Sequence, residues 1–290
     1  MKTKRIIALI MVALMSMFVL AGCGGSNNGS SNTQGSGTPA SSSDGDTAGA
    51  AKLGDLDKVT AAGKMVIGIT DYQPMNFYEA DGTLTGFDTE YAQAVAAELG
   101  IEAEFIEIDW DNKEIELNAG IIDAIWNGMT YTVARDENMD FSKPYIINEI
   151  VVVIRTADAD KYKTVEDVAT AKIVAEGGST AEDIVMGDDH LKDSNFTPVD
   201  SLVISLMEVA AGTADVSVVD SVMAKELVGQ GAYADLMIVE DINLADELLA
   251  IGFRTGSDLP AEIDRITADL YAAGTLQALA DKYGVHLASF

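Results

Sequence analysis

Residues 119–135 read AGIIDAIWNGMTYTVAR, and the arrangement of the chain can be worked out from this stretch. An apolar run is followed by Asn127, Gly128 and Thr130, and Arg135 comes five residues after the threonine. A buried strand of a regular parallel sheet needs neither the glycine nor the cation, because such strands are near-continuous apolar runs. The pattern is typical of a strand whose carboxyl end contributes to a site for a small anion.

The segments on either side of this strand alternate between strand and helix patterns. Residues 63–70 (GKMVIGIT) are apolar and rich in β-branched residues, which indicates a strand. Residues 87–100 repeat large apolar residues every four positions, begin with a candidate cap at Asp88 and end at Gly100, which predicts an amphipathic helix. A strand, a short helix and another strand follow over 103–109, 111–120 and 121–128. This order predicts an α/β fold with a parallel or mixed sheet and helices outside it.

The same alternation recurs in the second half of the chain. It starts after a long apolar run at 149–156, and a second long run at 248–255 precedes two helices predicted over 260–273 and 275–283. We interpret the two long runs as paired crossings between two lobes.

One internal similarity links the two halves. Residues 119–128 (AGIIDAIWNG) and 211–220 (AGTADVSVVD) share Ala-Gly-x-x-Asp followed by an apolar strand. Aligning the shared aspartates places Gly128 opposite Asp220. Ligands of open α/β sheets bind outside the carboxyl ends of the strands, so both polar strand ends become candidates for one site. The match is short, and chance is the alternative explanation.

The N-terminus has the three-part plan of an export signal. A basic pentapeptide, a 15-residue apolar run and Leu-Ala-Gly-Cys follow one another, which resembles a lipoprotein signal over 1–22 cleaved before Cys23. The alternative is an uncleaved transmembrane anchor. Cys23 is the only cysteine, so no intrachain disulfide can form. Residues 24–51 are rich in Gly, Ser, Asn and Thr, which predicts a flexible linker between the lipid and the folded part.

The charge balance excludes some classes of partner. Without the three cations of the signal, 15 Lys and Arg stand against 47 Asp and Glu, a net charge of −32. Nucleic-acid binding needs a basic face, and so does peripheral binding to a membrane of anionic lipid. We therefore expect no nucleic-acid partner, and we attribute the charge to solubility.

The sequence contains few residues suited to catalysis. His190 and His286 have no sequence partner for general acid–base or nucleophilic work. No HExxH, CxxC, EF-hand or Gly-Lys-Ser/Thr spacing is present. We expect a non-enzyme without cofactor or metal, although the fold alone does not exclude catalysis.

Five motifs in order resemble the amino-acid-binding, extracellular solute-binding proteins of ABC importers. The resemblance extends from about residue 58 to 285, with departures from the helix-entry motif at Thr89 and Tyr91, and it implies a two-lobed, periplasmic-binding-protein-like α/β fold with two hinge strands. The motifs lie at 81–100, 108–145, 176–183, 214–227 and 248–259.

The resemblance assigns both ends of an amino acid to residues of this chain. Arg135 and Thr130 would bind the carboxylate together with the glycine loop, whose candidates are Gly178, Ser179 and Thr180. The alternatives are a surface salt bridge of Arg135 with Asp136 or Glu137 and an ordinary helix N-cap at the loop.

The ammonium would be bound on the other side of the cleft. Asp220 is the implied ligand, with the Gly128 carbonyl opposite it and the Asn127 side chain as a further candidate. The alternative for Asp220 is a cap on the helix that follows it. Tyr72 and Trp110 match positions of aromatic walls over the ligand side chain, and the alternative is that both are core residues. The loop around Tyr72 departs from the commoner family spacing.

Together these features predict a monomeric, lipid-tethered receptor that captures a polar amino acid outside the cell and delivers it to the permease of an ABC importer. The alternatives are a dehydratase of aromatic precursors on the same fold and an extracellular sensor module. The predicted division is a signal at 1–22, a lipidated cysteine and linker at 23–57, lobe 1 at 58–152 and 252–290, and lobe 2 at 153–251.

Overall fold

The computed structural model describes residues 54–289. The predicted signal, the lipidated Cys23 and the linker up to residue 51 lie outside these residues. Within the described part, no helix combines the length and the apolar character that a membrane crossing requires.

Helices and strands alternate along the described chain. The strands are β1 Lys64–Ile69, β2 Phe77–Tyr78, β3 Leu84–Thr85, β4 Glu102–Glu107, β5 Ala124–Ile125, β6 Met139–Phe141, β7 Ile146–Arg155, β8 Lys172–Glu176, β9 Asn195–Val199, β10 Val216–Asp220, β11 Leu236–Leu249 and β12 Gly252–Arg254. The helices are α1 Asp55–Ala62, α2 Phe87–Leu99, α3 Lys113–Ala119, α4 Val133–Asp136, α5 Val165–Val168, α6 Thr180–Gly187, α7 Leu202–Ala211, α8 Ser221–Leu227, α9 Leu259–Ala272 and α10 Thr275–Tyr283.

Two five-stranded mixed sheets organise the fold. The first has the order β4-β1-β5-β12-β6, with β1 parallel to β4 and β5, and β12 antiparallel to β5 and β6. The second has the order β11-β7-β10-β8-β9, with β8 parallel to β9 and β10, and β7 antiparallel to β10 and β11. The predicted α/β class with two lobes is confirmed.

The chain passes between the two sheets twice, at neighbouring positions. The first passage is residues 142–145, between β6 and β7, and the second is residues 250–251, between β11 and β12. The backbone amide of Ser142 donates to Ile251 O at 3.0 Å, so the two passages are hydrogen-bonded to each other. Strand β7 lies wholly in the second sheet, so the first passage precedes the predicted crossing at 149–156. The lobe boundaries stay a prediction.

Helix α2 covers the first sheet with its apolar face. Phe87, Tyr91 and Val95 are buried, and the helix ends at Gly100 with a positive φ of 70°, as the pattern predicts. The prediction that Asp88 caps this helix is wrong, because the N-cap is Gly86 and makes no side-chain cap. Asp88 is fully buried and accepts hydrogen bonds from the Gly128 amide at 2.6 Å and the Tyr145 hydroxyl at 2.8 Å.

Candidate functional site

The polar strand ends of both sheets meet around one space, which we call the central cavity. It lies at the carboxyl ends of β5, β8 and β10, as expected for an α/β sheet. Its volume is about 20 Å³, close to that of a single water molecule. The lining residues are Thr70, Tyr72, Trp110, Asn127, Gly128, Thr130, Arg135, Glu176, Ser179, Thr180, Leu202 and Asp220.

Arg135 projects from the first lobe towards the loop before α6. Its guanidinium donates to Thr130 O at 3.0 Å, to Thr180 Oγ1 at 2.9 Å and to Gly178 O at 3.3 Å. The side chain is buried, and burial lowers the pKa of Arg135 from its ordinary value. The alternative of a surface salt bridge with Asp136 or Glu137 is therefore wrong. A planar donor with several N–H groups in a buried space is suited to a carboxylate.

The loop before α6 has the ordinary N-cap that was the alternative for it, and its contact with an anion stays a prediction. Ser179 is the N-cap, and its hydroxyl accepts from the Glu182 amide at 3.2 Å, so the ordinary cap is present. Gly178 has a positive φ of 66°, and its carbonyl accepts from Lys113 Nζ at 2.8 Å as well as from Arg135. Gly178 is the predicted site residue that supports the cavity without lining it.

Asp220 lies at the end of β10 and faces the cavity. Its carboxylate accepts from Asn148 Nδ2 at 2.7 Å and makes no side-chain cap to α8, so the helix-cap alternative is wrong. Burial raises the pKa of Asp220, and the nearby positive charge of Arg135 acts against this rise. The carboxylate is thus held in an apolar setting beside a cation, where a second cation would stabilise its charged form.

Gly128 and Asn127 are held in place from behind the cavity. Gly128 has a positive φ of 56°, and a Cβ there would come within 2.5 Å of the Tyr72 ring. The Asn127 amide donates to Thr70 O at 3.0 Å and to Asn76 Oδ1 at 2.7 Å. Its oxygen accepts from the Thr70 hydroxyl at 2.7 Å. Asn127 therefore supports the strand end with its side chain, although it also lines the cavity.

Tyr72 and Trp110 are both buried, as core residues are, and both also line the cavity, as wall residues would. The Tyr72 hydroxyl has no hydrogen-bond partner of normal geometry among the described residues. Burial, with the neighbouring charge of Asp220, raises the pKa of Tyr72 well above its ordinary value. The hydroxyl therefore interacts with the Asp220 carboxylate and belongs to the same cluster of polar groups.

Two buried acids and one amide were missed by the sequence reasoning. Glu247 on β11 accepts from Thr130 Oγ1 at 2.9 Å and from Asn148 Nδ2 at 2.9 Å. Asn148 thereby joins Glu247 to Asp220. Asn148 lies on β7 and Glu247 on β11, the two strands that adjoin the passages between the sheets. Glu176 ends the apolar strand β8 as Asp220 ends β10, and that shared pattern could have identified it.

These acids are coupled electrostatically. Burial and the charge of Asp220 raise the pKa of Glu176 to about 8 and also raise that of Glu247. Burial, together with the charge of Arg135, lowers the pKa of Lys113 to about 8. The cavity therefore contains both signs of charge in a buried setting, which suits a small ligand that itself carries both signs.

The family model of bacterial extracellular solute-binding proteins, family 3, matches residues 65–286, and the chain belongs to this family. The predicted resemblance is confirmed, and the role of the chain is that of a solute-binding protein.

Individual relatives agree with this assignment. The L-cystine-binding protein TcyJ of Escherichia coli (strain K12) is 28% identical over 232 residues, which are 79% of this chain and 86% of that protein. A solved substrate-binding protein of an ABC uptake transporter from Streptococcus pneumoniae, with bound histidine, is 29% identical with a TM-score of 0.76, covering 81% of this chain and 98% of that one. The ancestral amino-acid-binding protein AncCDT-1, a precursor of cyclohexadienyl dehydratase, is 28% identical with a TM-score of 0.72, covering 79% and 98%.

Proposed function

We propose that this chain captures an α-amino acid with a polar side chain in the central cavity and delivers it to the permease of an ABC importer. The observation that carries the proposal is the placement of Arg135 and Asp220 on the same small cavity. A free amino acid has a carboxylate and an ammonium a few bonds apart, and each group finds a buried partner of opposite charge here.

Each end of the ligand has a defined set of partners in this proposal. The carboxylate binds the Arg135 guanidinium, the Thr130 amide and hydroxyl, and the free backbone amides at the start of α6. The ammonium binds Asp220 and the Gly128 carbonyl. The relatives named as binding cystine or histidine support an amino acid as the ligand.

Binding in this proposal requires the lobes to separate and close again. A cavity of about 20 Å³ admits no amino acid, and the hydrogen bond from Arg135 to Thr180 Oγ1 joins residues on two sides of it. The ligand stabilises the closed arrangement because it contacts residues of both lobes, and this difference in affinity drives closure. The permease then recognises the closed form.

Isothermal titration calorimetry tests the proposal on the chain from residue 23 with Cys23→Ser, using the protein amino acids as a panel. Arg135→Ala and Asp220→Ala each leave a ligand charge unpaired, which costs about 2 to 5 kcal/mol, or thirtyfold or more in affinity. Arg265→Ala is the control, since Arg265 is exposed and pairs with Glu262 and Asp269. Either cavity variant within threefold of wild type contradicts its role, and binding of no amino acid contradicts the function.

The tether and the assembly complete the proposal. The protein is attached to the outer face of the cell membrane by a lipid on Cys23 and acts as a monomer without a cofactor. The neighbour AncCDT-1 is described as a precursor of a dehydratase, so turnover of a cyclohexadienyl acid is the competing activity. Incubation of the purified protein with such an acid, followed by mass spectrometry, distinguishes the two.

A further inference from the structure

Glu176 is a buried acid whose carboxylate is only partly satisfied. The residue is 3% exposed, ends β8 and lines the central cavity. Among the described residues, no group donates a hydrogen bond to Glu176 Oε1. Leaving a carboxylate oxygen buried without a donor is costly, so the fold alone gives no reason for an acid at this position.

The cation whose charge acts on Glu176 is Lys113, and it does not pair with Glu176 directly. Lys113 Nζ donates to the carbonyls of Trp110 at 3.0 Å and Gly178 at 2.8 Å, and it forms no ion pair with Glu176 within 4.0 Å. The Lys113 charge and the Leu202 backbone amide lower the pKa of Glu176, but burial outweighs both. The free oxygen therefore remains available to a donor that enters the cavity.

A count of the buried charges around the cavity shows which sign is missing. Two buried cations, Arg135 and Lys113, stand against four buried acids, which are Asp88, Glu176, Asp220 and Glu247. A zwitterionic amino acid adds no net charge, and its carboxylate and ammonium use Arg135 and Asp220. At least one acid then remains without a cation, and a ligand with a positively charged side chain would pair with it and favour its ionised form.

A second space lies beside Trp110, next to the central cavity, and we call it the side pocket. It has a volume of about 470 Å³ and shares Trp110 with the central cavity. Gly177, the next residue after Glu176, also lines it, together with Asp109, Asp111 and Asp200. A ligand side chain that passes Glu176 in this direction meets further acids, whose field favours a cation.

We propose that Glu176 is a specificity-determining residue that accepts a hydrogen bond from a cationic ligand side chain, so that the cavity selects cationic over neutral and acidic amino acids. This inference rests on the proposed function and makes its substrate class narrower. Arg135 and Asp220 bind the groups that all amino acids share, and Glu176 distinguishes among the side chains.

The test compares L-arginine with L-citrulline, which has nearly the same shape and an uncharged side chain. Calorimetry on the chain from residue 23 with Cys23→Ser measures both affinities, in wild type and in Glu176→Gln. We expect wild type to bind L-arginine at least tenfold more tightly than L-citrulline, since a charge-assisted hydrogen bond is about twice as strong as a neutral one. Glu176→Gln should reduce this preference to threefold or less.

Two controls separate the local effect from a general one. Glu166→Gln removes one negative charge from the exposed surface of the second lobe and should leave the preference unchanged. Glu176→Asp keeps the charge and should retain a preference for L-arginine, with weaker binding of both probes.

Several results would overturn the inference. The inference is wrong if wild type binds L-arginine and L-citrulline with equal affinity. It is also wrong if wild type binds a neutral or acidic amino acid more tightly than L-arginine and L-lysine. An unchanged preference in Glu176→Gln removes Glu176 from the mechanism. If a neutral amino acid binds and depends on Arg135, this inference fails while the proposed function stands. If no amino acid binds, both fail.

Discussion

The buried carboxyl of Glu247 makes the stability of the protein depend on pH. Burial and the charge of Asp220 raise the pKa of Glu247 from 4.5 to about 8. The unfolded chain ionises this group at its ordinary pKa, so between these values the folded protein holds a proton that the unfolded chain has lost. Stability is therefore highest below pH 4.5 as far as this group is concerned, and falls as the pH rises. One such proton changes the free energy of unfolding by roughly 1.4 kcal/mol per pH unit.

Glu247→Gln removes this titration and keeps both hydrogen bonds. The amide oxygen can accept from Asn148, and the amide nitrogen can donate to the Thr130 hydroxyl. From pH 5 to 7, the lost proton is worth about 2 to 3 kcal/mol, and 1 kcal/mol shifts the melting temperature of a chain this size by about 2 to 4 °C. We expect the melting temperature of wild type to fall over this range, and that of Glu247→Gln to fall by about 4 to 12 °C less.

The assay is thermal unfolding of the ligand-free protein, followed by circular dichroism at pH 5, 6 and 7. The control is Glu240→Gln, because Glu240 is exposed on the same strand and should follow wild type. Glu176 and Asp88 are present in all three proteins, so the difference between the curves reports Glu247 together with its effect on the neighbouring Asp220. Parallel curves for Glu247→Gln and wild type would show that Glu247 is already ionised in the fold, and would refute the reasoning.

Two further predictions concern a glycine of the central cavity and the lipidated cysteine. Gly128→Ala should reduce ligand affinity more than tenfold, because its Cβ would come within 2.5 Å of the Tyr72 ring. Gly100→Ala, with a similar positive φ and no atom within 4 Å of its Cβ, should lower only the melting temperature, by about 2 to 8 °C for a cost of roughly 1 to 2 kcal/mol. Cys23→Ser in the full chain should release the protein from the membrane, measured by fractionation and immunoblotting; retention of the variant with an uncleaved leader would instead indicate a transmembrane anchor.

Residues that are close in sequence to a strand end could be predicted, and residues joined only by strand pairing could not. Thr130 and Arg135 lie within ten residues of the end of β5, so a continuous motif and its family resemblance could place them near that strand end. Glu247 and Asn148 meet because β11 pairs with β7, and the register of two distant strands is not readable from either one. A polar residue at a buried position of an otherwise apolar strand, as at Asn148, is the signal that was available.

The internal similarity of the two halves has a structural basis, which begins with Asp123. Its backbone amide donates to Val66 O at 2.7 Å, and its carboxylate accepts from the Val66 amide at 3.0 Å. Arg254 donates to the same carboxylate at 3.0 Å, and to the carbonyls of Leu117 at 3.3 Å and Ile122 at 2.5 Å. One arginine thus joins the end of a helix, the turn after it and the strand that follows.

Asp215 has the same set of contacts in the second sheet. Its backbone amide donates to Lys172 O at 2.9 Å, and its carboxylate accepts from the Lys172 amide at 3.0 Å. Arg155 donates to this carboxylate at 3.2 Å, and to the carbonyls of Val209 at 3.0 Å and Ala214 at 2.6 Å. The two accepting carbonyls lie six residues and one residue before the aspartate in both units, so chance does not account for the similarity.

These matched units explain why two short motifs could place residues of one cavity. Each aspartate fixes the start of its strand, and the polar strand end comes five residues later, at Gly128 in one sheet and at Asp220 in the other. The spacing from the aspartate to the polar residue is then the same in both units, so Gly128 and Asp220 both lie at the carboxyl edges of their sheets, although β5 is shorter than β10. What the motif cannot specify is how the edges face each other, because that depends on the hydrogen bonds between the passages at 142–145 and 250–251. The position of each cavity residue within its lobe is therefore encoded locally, whereas the distance between Arg135 and Asp220 is set by contacts remote in sequence.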